Sequence, residues 1–250
     1  MVEAIEGATT TRVMLDCGFG LREAESRLQR TGLAPRDIDA LIVTHEHGDH
    51  IGGVARFARK HGTPVWMTYG TYVASRLGET ARAAHESGAL EVMLIDHHAP
   101  FSVGGIEVTP FPVPHDAREP AQFTFSDGAV KLGVLTDLGS VTSHVTTMLS
   151  GCDGLVLECN HDARMLAGGA YPPSLKMRVG GSHGHLDNDQ AATLLAAVKH
   201  DGLQHVLAAH LSRQNNTPAL ARAALASSLG CAPDWIGVAG QEDGFDWRSL

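Results

Sequence analysis

Ala40-Leu41-Ile42-Val43-Thr44-His45-Glu46-His47-Gly48-Asp49-His50-Ile51-Gly52-Gly53 is the stretch on which the fold turns. The apolar run Ala40 to Val43 predicts a buried strand, continuing to Thr44, and the small residues behind it predict a turn into a helix. In extended backbone, residues two apart point the same way, so His45 and His47 aim at one point. A turn at Gly48 redirects Asp49 and His50 toward a second point nearby. Imidazole nitrogen with carboxylate oxygen suits Zn, Mn or Fe, whereas Ca and Mg prefer oxygen alone. A solvated turn that merely happens to be rich in His needs neither a buried strand feeding it nor paired glycines behind it.

Working outward, a chain of 250 residues buries a sizeable core and fits one domain, 1–250. With 43% hydrophobic and 19% charged residues, the composition is that of a soluble globular protein. No stretch approaches the ~20 apolar residues of a membrane span. The acidic, threonine-rich start Met1 to Thr11 lacks the basic and apolar regions of a signal peptide, so a cytoplasmic location without membrane partners is expected. Cys17, Cys152, Cys159 and Cys231 show no CxxC spacing and are expected as reduced, packed thiols. The net charge of −9 argues against tight non-specific nucleic-acid binding, because that affinity comes from phosphate neutralisation. Two divalent ions would offset part of that charge and concentrate positive potential at the site.

Arg12 to Asp16 predicts a strand, and Cys17-Gly18-Phe19-Gly20 a turn into a helix, Leu21 to Arg30, ended by Gly32. Helices follow at Val54 to His61 and Thr71 to Gly78, with a strand at Pro64 to Thr68 between them. Ala81 to Ala89 reads as helix or loop, and His85, His97 and His98 as solvated histidines. The second half predicts hairpins: Phe101 to Val113 around Gly104-Gly105, and Gln122 to Ser126 with Val130 to Thr136 across Asp127-Gly128. Prolines on both sides of Val113 display His115 at a strand end. Further elements are a helix Ser140 to Leu149, strands Gly154 to Glu158 and His205 to Ala209, and helices Ala191 to Val198 and Ala219 to Leu229. Asp137 follows an apolar strand and could cap the helix behind it. The loop Gly180 to His185 could hold a phosphate at a helix N-terminus, or Asp187 or Asn188 could cap that helix.

The stretch at His45 resembles the HxHxDH signature of the metallo-β-lactamase superfold. Pro114-His115-Asp116, Leu135-Thr136-Asp137, Gly184-His185-Leu186-Asp187-Asn188 and His210-Leu211-Ser212-Arg213-Gln214-Asn215-Asn216 extend the match from about Arg12 to about Leu229. Together they resemble the YycJ/WalJ-like (VicX) branch, related to the RNase Z nucleases. The resemblance implies an α/β fold, a four-layer αββα sandwich of two mixed sheets flanked by helices. It also implies an additional strand and a Gly/Ser-rich loop before Arg12; the chain lacks them, so Arg12 to Asp16 is expected at a truncated sheet edge.

By the same resemblance, His45, His47 and His115 hold one divalent ion, Zn or Mn, while Asp49, His50 and His210 hold a second and Asp137 bridges them. Asp49 and Asp116 are candidate proton acceptors. His185 and Arg213 would orient a scissile phosphate, and Arg164, Lys176, Arg178 and Arg213 would form a basic rim. Glu158, Asn160 and His161 would support the ligands from behind. The resemblance implies a phosphodiesterase or exonuclease acting on DNA or RNA, with single strands as partners. A thioesterase or lactonase of the same fold would use the same metals but would not need the stretches GHLDN and HLSRQNN. A non-catalytic regulatory protein has no reason to retain seven ligands of the right types.

Overall fold

The computed structural model describes residues 1–75 and 90–250, which fall into two compact units. The first holds residues 1–112 and 117–121, and the second 113–116 and 122–250. The expectations for Ala81 to Ala89, for His85 and for the end of the helix toward Gly78 lie outside the described residues.

The first unit is built on a five-stranded mixed sheet of order β1-β2-β3-β4-β5, formed by Val2–Glu6, Thr9–Leu15, Ala40–Ile42, Val65–Thr68 and Val92–Ile95. β1 and β2 are antiparallel and the other neighbours parallel. The expected exposed edge at Arg12 to Asp16 is therefore corrected: β2 lies inside the sheet, paired from Val2↔Val13 to Glu6↔Thr9. The sequence signal was Gly7, whose φ of 60° opens a two-residue hairpin turn with Ala8.

Helices α1 (Leu21–Arg30) and α3 (Val54–His61) pack on each other, with the four-residue helix α2 (Gly48–Ile51) between them in sequence. Val54, Phe57 and Ala58 recur at helical spacing and are buried with Leu28, Leu41, Val43 and Met67 in one core. α1 stops before Gly32 and α3 before Gly62, both left-handed at φ of 81° and 70°. α4 (Tyr69–Ala74) begins two residues earlier than expected, because the Thr68 hydroxyl caps it by accepting from the Thr71 amide. The hairpin of β6 (Phe101–Val103) and β7 (Ile106–Pro112) forms around Gly104-Gly105 as read.

The second unit holds the strand run β12-β11-β10-β9-β8, formed by Gly237–Val238, His205–Ala209, Gly154–Glu158, Lys131–Leu135 and, from its second residue, Ala121–Ser126. β8 and β9 are antiparallel, whereas β9 to β12 run parallel. Their hairpin loop spans four residues, since Ser126 pairs with Lys131 and the Asp127 carboxylate accepts from the amides of Ala129 and Val130. Helices α5 (Ser143–Leu149), α6 (Ala163–Gly168), α7 (Pro173–Val179), α8 (Asn188–Val198) and α9 (Pro218–Leu229) complete this unit. α8 packs on α9 and on α5. The four cysteines are free thiols, with Cys17, Cys152 and Cys159 buried as expected.

Two glycines set how closely the His-rich turn can seat. A Cβ at Gly53 would fall on the Phe19 carbonyl, and one at Gly18 on the Asp49 carbonyl. Gly53→Ala is expected to destabilise the protein by about 1–3 kcal/mol, read as a lowered Tm. Gly20→Ala, where a Cβ meets nothing within 4 Å, should leave Tm almost unchanged. Equal melting of the two variants would show that the close approach is not a constraint.

Candidate metal centre

In the first unit, β3 ends at Ile42, the chain bends at Glu46, and His47, with a ψ of 147°, precedes α2. The His45 ring lies edge-on to His47 with centroids 4.5 Å apart, and 4.2 Å from that of His50. His45 and His50 are buried, while the Asp49 side chain is 70% exposed. Asp16, at the end of β2, fixes this group. Its carboxylate accepts from the Thr44 amide at 2.8 Å, the Thr44 hydroxyl at 2.9 Å and His50 Nδ1 at 2.7 Å. With Nδ1 held, His50 turns Nε2 toward Asp49 Oδ2, 3.6 Å away. His45 Nδ1 lies 2.9 Å from the Thr44 hydroxyl.

In the second unit, His115 Nδ1 donates to the Gly184 carbonyl at 3.0 Å, and Nε2 faces Asp116 Oδ1 at 3.5 Å and Asp137 Oδ1 at 3.8 Å. Burial lowers the His115 pKa, which favours the neutral imidazole that coordination requires. Glu158, fully buried at the end of β10, accepts from His185 Nδ1 at 2.8 Å and His210 Nδ1 at 2.9 Å through one oxygen. The other oxygen takes the amides of Leu138 and Leu186. Burial pushes the Glu158 carboxyl upward, but the bonds from His185 and His210 outweigh it and hold the carboxyl below its ordinary value. Donor atoms of Asp137, Glu158, His185 and His210 all lie within 4.8 Å of one another.

The donors fit a divalent transition metal. His50, His115, His185 and His210 each engage Nδ1 with a carboxylate or carbonyl, the support that orients Nε2 of a ligating imidazole, and carboxylates stand beside them. The non-glycine residues with left-handed backbone among those described are Asp16, Asp137 and His210, each just after a strand. Asp137 is thus not a helix cap; Thr142 caps α5.

Other sequence-predicted residues find different places. Asp187 caps α8 in a capping box with Gln190, so this helix N-terminus already carries a carboxylate and the phosphate alternative falls away. Asn188 and Asn216 exchange amide hydrogen bonds of 3.0 and 2.9 Å, and Asn216 also donates to the Cys159 carbonyl. The paired asparagines thus clasp three segments together. Arg178 Nε donates to Asp116 at 2.5 Å, Lys176 reaches the Ala167 carbonyl, and Arg213 lies 3.7 Å from Glu242. His97, expected as solvated, pairs with Glu119 at 3.2 Å. Sequence reasoning missed Asp16, whereas Glu158 supports His185 and His210 from behind as expected.

Comparison with known proteins shows the family. The family described as "Beta-lactamase superfamily domain" matches residues 11–210, and the chain belongs to that superfamily. Within it, the chain belongs to the family of Exodeoxyribonuclease YycJ. It is 34% identical over 229 residues to that protein of Bacillus anthracis, covering 89% of this chain and 83% of the relative. It is 29% identical over 227 residues to Exodeoxyribonuclease WalJ of Streptococcus pneumoniae, covering 91% and 83%. Among solved structures, the metallo-β-lactamase fold protein YhfI from Bacillus subtilis superposes with a TM-score of 0.70 at 18% identity, covering 98% of this chain and 89% of that one. A diphosphatase from the PhnP family gives 0.66 at 20% identity, covering 99% and 83%. The fold is the expected α/β arrangement of two mixed sheets flanked by helices.

Glu158→Gln places an amide NH2 against either the imidazole or the backbone donors. It is expected to weaken metal retention by about tenfold to a hundredfold, read by competition with a chelator. Unchanged retention would reduce Glu158 to a packing group.

Proposed function

We propose that this chain is a metal-dependent exonuclease that degrades DNA, with single strands as its preferred substrate. The supporting observation is the pairing of a buried His and carboxylate constellation with 34% identity to an exodeoxyribonuclease over most of both chains. The proposed ligands are His45, His47, Asp49, His50, His115, Asp137 and His210, holding two ions of Zn or Mn, with both units acting as one domain. When bound, divalent ions bring water toward ionisation at neutral pH and offset charge growing on phosphoryl oxygens.

The chain's own residues supply the rest. Asp49, exposed beside His50, accepts a proton from the attacking water. His185, held through Nδ1 by Glu158, presents Nε2 to a phosphate oxygen. Arg178 is fixed through Nε by Asp116, so the ends of its guanidinium contact the phosphate chain, and Arg213 adds a more exposed cation. Among the described residues no helix is long and apolar enough to cross a membrane, and we place the protein in the cytoplasm.

Asp49→Ala should lower cleavage of labelled single-stranded oligonucleotides by about 10²–10⁴-fold, and Asp137→Ala should lose metal by elemental analysis. Cleavage should weaken as salt rises. Thioester or lactone turnover far above oligonucleotide turnover, lost in the same Asp49 variant, would replace the nuclease with another hydrolase of this fold.

A further inference from the structure

An exposed aromatic residue in the first unit is coupled to the His-rich turn through a short relay. The Arg118 amide donates to Glu46 Oε1 at 2.7 Å, and Glu46 stands between His45 and His47. Glu119, the residue after Arg118, grips the start of α4. The Glu119 carboxylate accepts from the Gly70 amide, the Thr68 hydroxyl donates to the Glu119 carbonyl at 2.8 Å, and a Cβ at Gly70 would lie 3.1 Å from Arg118 Cγ. The Arg118 stem therefore runs over Gly70, next to Tyr69. Tyr69 is 64% exposed, and Val73, one turn along the same helix face, is 55% exposed.

We propose that Tyr69 and Arg118 form a nucleotide platform, on which a base of single-stranded DNA stacks against the Tyr69 ring while Arg118 meets the adjoining phosphate. This rests on the nuclease assignment and deepens it. An acidic chain cannot hold a polyanion by its general field, and base stacking supplies affinity that does not depend on net charge. The Arg118 backbone bond to Glu46 and the Glu119 bond to Gly70 fix the platform relative to His45 and His47. An oriented aromatic face is what sequence-independent reading of unpaired bases requires, since every base has a face to stack. An Arg whose stem crosses the residue after an exposed Tyr favours this occupant over a second copy of the chain, whose own Arg118 would bring like charges together.

The test is anisotropy binding of a fluorescent phosphorothioate oligothymidylate that resists cleavage, alongside turnover of bis(p-nitrophenyl) phosphate. Tyr69→Ala and Arg118→Ala should each weaken oligonucleotide binding by about tenfold or more and leave turnover of the small diester unchanged. Tyr69→Phe should retain binding, because the ring rather than the hydroxyl carries the contact. Unchanged affinity in Tyr69→Ala, or an equal loss on the small diester, overturns the platform. So does a wild-type dimer that sediments as monomer in Tyr69→Ala without change in oligonucleotide affinity. Tyr69-dependent binding by a wild-type protein that cleaves no DNA would instead uphold the platform and refute the nuclease assignment.

Discussion

One buried carboxylate organises the second unit. Glu158 is fully excluded from solvent, and an ionised carboxylate in that position without partners would cost several kcal/mol. It is ionised because four donors converge on it: the imidazoles of His185 and His210 and the amides of Leu138 and Leu186. These donors come from three different segments, so satisfying one charge fixes the loops after β9 and β11 and the loop before α8. Asp137 precedes Leu138, and its place follows from that amide bond. Asp16 performs the same service in the first unit, where three donors from Thr44 and His50 bind one carboxylate. Each unit thus presents its imidazoles from a charge that is itself compensated.

The geometry this requires has a backbone cost. Asp16, Asp137 and His210 leave their strands at φ of 54–58°, a region that costs a non-glycine residue about 1–2 kcal/mol. Glycine would relieve the strain but would remove the functional side chain. A straight continuation of the strand would point the carboxylate or imidazole along the sheet's own alternation instead of toward its partners. Asp tolerates this conformation better than most residues because its short polar side chain bonds locally. The bond of His210 to Glu158 helps to hold it there. Strain retained at residues of this kind is consistent with a site held by surrounding structure that over-determines it.

What the sequence disclosed was whatever short-range pattern could carry. His45, His47 and His50 announce themselves within six residues, and apolar runs ending in polar residues marked Asp137 and His210. The helix Val54–His61 and the hairpin around Gly104 followed from periodicity and turn chemistry. Asp16, and the number of donors that meet on Glu158, did not show, because the partners lie 20 to 52 positions away and a carboxylate at a strand end looks like any cap or turn. β1 was missed because Val-Glu-Ala-Ile-Glu breaks the apolar–polar alternation of a half-buried strand, and its Ile5 is 69% exposed. Asn188 read as a possible helix cap, and its mutual bonds with Asn216 form a clasp that only the folded chain assembles.

The charge balance decides how such a protein can meet nucleic acid. Several cations are engaged by its own acids or carbonyls: Arg12 by Glu3, Lys60 by Glu25, Arg178 by Asp116, Lys176 by the Ala167 carbonyl. A net charge of −9 works against long-range steering of a polyanion and against sliding along one. Divalent ions held by the donors described above would add attraction at short range, where Coulomb terms are least screened. Contacts of that range reach one or two phosphates and the base beside them. A strand end or an unpaired nucleotide can be brought that close, whereas a continuous duplex presents many phosphates to an acidic surface at once.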